Sequence, residues 1–190
     1  MYRNLFRALG LSLVMLLPLD AQAQSSDIRL SVKQLKDTSE SVVLARTVKT
    51  ESFWNDDRSA ILTRVTLQVE ESLSGSASGE TVVIVPGGRI GPYIHEVTDM
   101  PEFVAGEDAV VFVERHTSGV NVVNGGARGK LEVKTDAVTR AREVVGGAAL
   151  FDQLEASEND ASETDAHVEG PVRPSKSLPL DEFKRRLLQR

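Results

Sequence analysis

Between Ala60 and Glu70 the chain alternates without a slip. Ile61, Thr63, Val65, Leu67 and Val69 fall on one side, and Leu62, Arg64, Thr66, Gln68 and Glu70 on the other. A period of two marks a strand with one buried and one wet face, because successive side chains of a strand point to opposite faces of its sheet. A helix cannot bury such a pattern, since its neighbouring positions lie three and four residues apart. A strand of this kind needs partners, and the sequence supplies them at short intervals. Ser41–Val48 is rich in β-branched residues, Thr81–Val85 and Ala109–Val113 are continuous apolar runs, and Val120–Val123 and Lys130–Val133 are shorter. Turn chemistry separates them at Asn55-Asp56-Asp57, Ser74–Gly79, Pro86-Gly87-Gly88 and Gly125-Gly126. Short strands with no crossover helix between them predict a mainly β chain, a sandwich or a small barrel, and argue against a parallel α/β sheet.

Helical signals lie at the two ends of this region. Ser31–Glu40 places Val32 and Leu35 at helical spacing and reads as a short amphipathic helix. After Asp136 the composition changes. Ala137–Leu154 reads as a weak helix interrupted by Gly146-Gly147. Asp152–Glu169 carries seven acidic residues and no Lys or Arg, which predicts a disordered acidic segment, because so little apolar surface cannot offset the entropy of ordering. Leu178–Phe183 then opens a terminal helix, with Pro179 near its start, Asp181 and Glu182 in the first turn and Lys184, Arg185 and Arg186 near its end. Leu180, Phe183 and Leu187 share one face, so this helix is expected to dock.

The N-terminus bears on the compartment. Arg3 and Arg7 precede the apolar run Ala8–Leu19, and Ala21-Gln22-Ala23 supplies the small-x-small site that a signal peptidase cuts after. The mature chain is therefore expected to begin at Gln24 and to work in the periplasm or as a secreted protein. The apolar run is shorter than the roughly 20 residues that span a bilayer, so no membrane insertion is expected once the signal is cleaved. The chain divides into a signal peptide (1–23), a β-barrel domain with its leading helix (24–136), a weakly helical and then disordered acidic linker (137–177) and a C-terminal helix (178–190). Cysteine is absent, which excludes a disulfide framework, a thiolate zinc site and a Cys nucleophile. The net charge is −6, and loss of Arg3, Arg7 and Asp20 takes the mature chain to −7. An acidic surface disfavours nucleic acid and anionic membranes as partners.

No catalytic constellation emerges from the motifs. Ser74–Gly79 resembles a nucleophile elbow but has Ala77 where the serine should stand. The run Gly125–Lys130 has Asn124 where a phosphate loop needs its first Gly and Leu131 where it needs Ser or Thr. His95-Glu96 is followed by Asp99 rather than the second His of a zinc helix. Asn55-Asp56-Asp57 lacks the Gly and distal Glu of a calcium loop. No metal and no cofactor are expected. Trp54, the single tryptophan, reads either as a hydrophobic lid on a barrel end or as an exposed recognition aromatic.

Several of these features together carry a resemblance. Val42–Val48, Glu51-Ser52-Phe53-Trp54 with its acidic turn, Val65–Leu73, Pro86-Gly87-Gly88, Met100–Glu107 ahead of Ala109–Val113, Gly126–Leu131 and the terminal Leu180–Leu187 resemble an uncharacterised family of exported bacterial β-domain proteins. The strand spacing is also distantly similar to netrin-like modules, the OB-type barrels that include tissue inhibitors of metalloproteinases. That likeness implies a small antiparallel OB-like barrel. It does not carry over those inhibitors' zinc-directed cysteine, which this chain lacks. The reading that follows is an exported, non-enzymatic binding or accessory module for an envelope or secreted protein. Its contact surface is expected on the long loop Pro86–Gly106, with Trp54, Arg89, Tyr93, His95 and Phe103 as the contact candidates. The alternative is a periplasmic or secreted hydrolase using His95 or His116 with carboxylates.

Overall fold

Strand β1 (Ser41–Trp54) and strand β2 (Ile61–Ser74) form a long antiparallel hairpin around which the rest of the chain is assembled. A computed structural model describes residues 32–147 and 175–189. Helix α1 (Val32–Thr38) precedes the hairpin. It is followed by β3 (Glu80–Pro86), β4 (Gly88–Ile90), β5 (Tyr93–His95), β6 (Asp108–Arg115), β7 (Asn121–Val123), a 3-10 turn (Gly126–Gly129), β8 (Lys130–Thr135), β9 (Arg142–Gly147), β10 (Ser175–Pro179) and helix α2 (Leu180–Leu188).

Five strands close on themselves in the order β1-β2-β3-β7-β6 and back to β1. The protein is mainly β, with a small closed OB-like barrel, one short helix near the N-terminus and one helix at the C-terminus. Every pairing is antiparallel except β3–β7, which meet in parallel through Ile84 and Val122. Closure depends on β1. Its register against β2 shifts at Val42/Val43, Leu44/Ala45 and Thr47/Lys49, and such bulges bend a strand and increase its twist. The bent strand therefore pairs with β2 along most of its length while Ser41–Arg46 also pairs with β6 on its other edge.

The period-two pattern lies where the sequence puts it. Ile61, Val65 and Leu67 are buried, whereas Arg64, Gln68 and Glu70 are exposed; Val69 is half-buried at the barrel margin. The apolar runs of β1 and β6 have a different cause, because these strands are buried on both faces, whereas β3 buries only Val83 and Val85 and leaves Val82 exposed. Val43, Ala45, Ala109, Val111 and Val113 point into the barrel with Val65, Leu67, Val83 and Val85. Val42, Leu44, Val110 and Phe112 point outward into a second core. That core is roofed by Val32 and Leu35 of α1, by Leu180, Phe183 and Leu187 of α2, and by Leu131, Val133 and Val144.

The sheet forks at β6. Its far edge pairs with β8 over Asp108–Val111 and with β7 over Val113–Arg115, and the 3-10 turn carries the chain between them. β9 and β10 extend the sheet beyond β8.

The structure corrects three expectations. Arg142–Gly147 is strand β9 rather than part of a weak helix. Val144 and Val145 are β-branched, Gly146-Gly147 disfavours a helix, and the ladder of β8 is there to be extended. Leu178 and Pro179 end strand β10, and the helix begins at Leu180. Pro179 fits there because β10 is an edge strand, where proline's missing amide donor is tolerated. The loop Pro86–Gly106 contains the β4–β5 hairpin. Gly91-Pro92 makes its two-residue turn, with Gly91 at φ +56°. The stretch 1–23, expected as a signal peptide, and the acidic stretch 152–169, expected as disordered, lie outside the described residues.

Candidate functional site

The hairpin β1–β2 is longer than the barrel, and its free half carries an unusual inner face. Thr50 pairs with Val65, Ser52 with Thr63 and Trp54 with Ile61, so three hydroxyl side chains continue the surface that lines the barrel interior. Pro86-Gly87-Gly88 turns the chain across this face. Gly88 has φ +138°, and a Cβ there would meet Thr63 Oγ1 and, at 2.5 Å, Ser52 Oγ. Only glycine allows so close an approach.

A directed chain of hydrogen bonds holds the crossing. The Arg89 amide donates to Ser52 Oγ at 3.3 Å, Ser52 and Thr63 share a bond of 3.1 Å, and Thr63 Oγ1 donates to the Gly87 carbonyl at 2.7 Å. Because Thr63 gives its only proton to Gly87, Ser52 is the donor in the middle bond. Two further bonds pin the β4–β5 hairpin: the Gly87 amide donates to the Ile61 carbonyl at 2.9 Å, and the Ile61 amide donates to His95 Nδ1 at 3.1 Å. Nδ1 accepts there, which assigns the ring proton to Nε2. Trp54 meets Tyr93 edge-to-face, with ring centroids 5.6 Å apart.

Residues 96–104 close the barrel end. Met100 and Phe103 pack against the interior core. Lys130 anchors this segment through the Glu102 carbonyl at 2.5 Å and Glu107 Oε2 at 2.8 Å, with its ammonium 5.0 Å from the centre of the Phe103 ring. The hydrogen bond from Lys130 holds the Glu107 carboxyl below its ordinary range. At the other end of the segment, the Asp99 carbonyl accepts from the Ala127 amide at 2.9 Å.

Between these walls lies a cleft of about 410 Å³, within the span of ligand-binding pockets. Thr50, Ser52, Thr63, Val65 and Val85 form its floor, and Arg89, Ile94, His95, Glu96, Phe103 and Val104 are prominent in its walls. The lining is mixed, with the hydroxyls of Thr50, Ser52 and Thr63 beside apolar Val65 and Val85 in the floor, and Arg89, Glu96 and Glu102 bringing charges of both signs. Ile94 and Val104 remain 52% and 58% exposed at its mouth.

The structure therefore gathers the contact candidates around one feature, in different roles. Arg89, His95 and Phe103 line the cleft. Trp54 and Tyr93 do not, and form an aromatic clasp between the two hairpins. Trp54 is half-buried, while Tyr93 is 60% exposed. His116 bonds within its own turn, to Ser118. Among the described residues no three His, Asp or Glu side chains gather as a metal site would require, and neither His95 nor His116 bonds a carboxylate. Thr50, Ser52, Thr63, Gly88 and Lys130 went unrecognised in the sequence. The one local signal for them was the double glycine after Pro86, which marks a close backbone approach. Compared with family models, with curated proteins and with solved structures, the chain matches none.

Proposed function

We propose that the protein is an exported, non-enzymatic binding module, working in the periplasm or as a secreted protein after cleavage behind Ala23, and that the cleft at the barrel end receives part of an envelope or secreted protein. One observation carries this reading. The chain spends a double glycine, a hydroxyl relay and the Lys130 anchor on holding a hairpin and a loop over the barrel mouth, yet leaves about 410 Å³ open between them. Binding sites are mostly pre-formed concavities that combine apolar surface with a few placed polar groups.

Site-directed photo-crosslinking in the producing cell tests it. A crosslinking residue at Val104, in the mouth, is expected to give a discrete adduct with another envelope or secreted protein. The same residue at Val138, which is 89% exposed on the β8–β9 turn, is expected to give none. Equal adducts at both positions, or none at Val104, would remove the cleft from the proposal. Intact mass of the exported species tests the compartment: a chain starting at Gln24 supports it, and a stable exported chain retaining Met1 opposes it.

A further inference from the structure

The β4–β5 hairpin has a two-residue turn, so its first pair, Ile90 and Tyr93, is mutually hydrogen-bonded and the next pair, Arg89 and Ile94, points its backbone groups outward. The amide of Arg89 bears this out, since it donates to Ser52 Oγ on the side away from β5. By the same alternation Ile94 turns its N–H and C=O away from β4, and Glu96 follows directly after the last residue of β5. Among the described residues no strand pairs with the outer edge of β5, and neither Ile94 nor Glu96 has a backbone hydrogen-bond partner outside the β4–β5 ladder. Both side chains line the cleft.

We infer that the outer edge of β5 at Ile94, continued by Glu96 just beyond the strand end, binds an extended segment of the partner polypeptide by strand addition. This inference rests on the cleft reading and names what fills it. Main-chain hydrogen bonds to an edge strand supply affinity, and pockets for alternate side chains supply selectivity. The edge also fixes the chemistry of the segment. A residue opposite Ile94 lies over the apolar part of the cleft and is apolar. The residue two positions away lies opposite Glu96, whose carboxylate, like that of Glu102 in the same wall, has no ion-pair partner among the described residues. Opposite charges across a strand pair attract, so that residue is Lys or Arg. Pro92 lies just before the three-residue strand, which keeps the open edge too short for indiscriminate pairing.

Random twelve-residue peptides displayed on phage and selected on the whole mature chain supply the probe. Selected peptides are expected to carry an apolar residue and a Lys or Arg two positions apart. Binding should slow hydrogen exchange at the Ile94 and Glu96 amides. Ile94→Pro, which removes the amide, should weaken binding by at least about tenfold. N-methylation of the single peptide amide that pairs with Ile94 should do the same without touching the protein's fold. Glu96→Lys should reverse the preference towards peptides with Glu in place of Lys. Selected peptides that leave the Ile94 and Glu96 amides unprotected, or tolerate both backbone changes, overturn strand addition. If Val104→Trp still displaces such peptides, the cleft reading survives its loss. Failure to select any peptide contacting residues 94–96 also overturns it, as does self-association abolished by Ile94→Pro, which would make a second copy the occupant.

Discussion

Gly88 and Asn124 show how much single residues can hold in a chain with no disulfide. Gly88 sits at φ +138° against two hydroxyls, so Gly88→Ala combines backbone strain with a clash in the relay from Arg89 to Gly87. Its expected cost is about 1–3 kcal/mol, measured by denaturant unfolding. Gly119→Ala, at φ +84° but with open space around it, carries the strain alone and should cost less. Asn124 is 7% exposed, and its Nδ2 reaches the Leu35 carbonyl at 3.2 Å, Thr38 Oγ1 at 2.7 Å and Ser39 Oγ at 3.0 Å. It closes the C-terminal end of α1, where carbonyls lack helical partners. Asn124→Ala should cost about 1–3 kcal/mol, because the hydrogen bonds that tie this nearly buried amide to the last turn of α1 are lost together. On β2 the contrast is sharper. Leu67→Ala should cost about 2–5 kcal/mol, and the exposed Gln68→Ala should stay within about 0.5 kcal/mol; comparable losses at the two positions would mean that the register is wrong.

At the scale of elements, α2 forms part of the second core. Phe183 is fully buried, and Leu180 and Leu187 are nearly so. Lys36 of α1 donates to the Leu187 carbonyl at 2.7 Å, which places a cation at the C-terminal end of α2. Lys184 reaches Glu71 of β2 at 2.5 Å. Phe183→Ala is therefore expected to cost about 3–5 kcal/mol, and hydrogen exchange should show protection in α2 comparable to that of β6. Uniformly fast exchange over Leu180–Leu188 would overturn the docking. The apolar stripe of this helix was legible in the sequence because Leu180, Phe183 and Leu187 keep helical spacing. The strand Arg142–Gly147 was not, since six residues with a Gly pair carry little periodicity of their own. Only the waiting edge of β8 decides their conformation. The β4–β5 hairpin escaped for a similar reason: three-residue strands have too few positions to show an alternation. The hydroxyls of Thr50, Ser52 and Thr63 looked like the wet side of a strand, and only closure of the barrel end turns that face into a cleft floor.

Across the whole molecule, charge ties the forked sheet together. Asp108, on β6, receives two bonds from Arg46 on β1, at 2.7 and 2.9 Å. Arg142 on β9 grips Glu70 on β2 at 2.5 and 3.0 Å and lies 3.6 Å from Asp108. Four strands thus meet in one network beside the fork. The hydrogen bonds from Arg46, with the nearby Arg142 charge, hold the Asp108 carboxyl below its ordinary range, as Lys130 does for Glu107. A carboxyl depressed in the folded state contributes stability that is present above its unfolded pKa of about 4 and is lost as pH falls through the folded value. Melting temperature is therefore expected to decline as pH drops below about 4. Asp108→Asn should be less stable at neutral pH and flatter in its acid response. An acid profile as steep in that variant as in the parent would show that the network does not carry the effect.

The pairing of β9 with β10 sets Gly147 directly opposite Ser175. The polypeptide therefore leaves β9 and enters β10 at adjacent points of the sheet. The entropic penalty for joining two adjacent chain ends by a flexible connection grows only with the logarithm of its length. Gly147–Ser175 is thus a natural splice point: a fluorescent reporter domain inserted there should leave the parent topology intact. No residue of β9 or β10 lines the cleft, so a reporter carried at that junction would follow the protein in its own compartment without substituting any wall of the cleft.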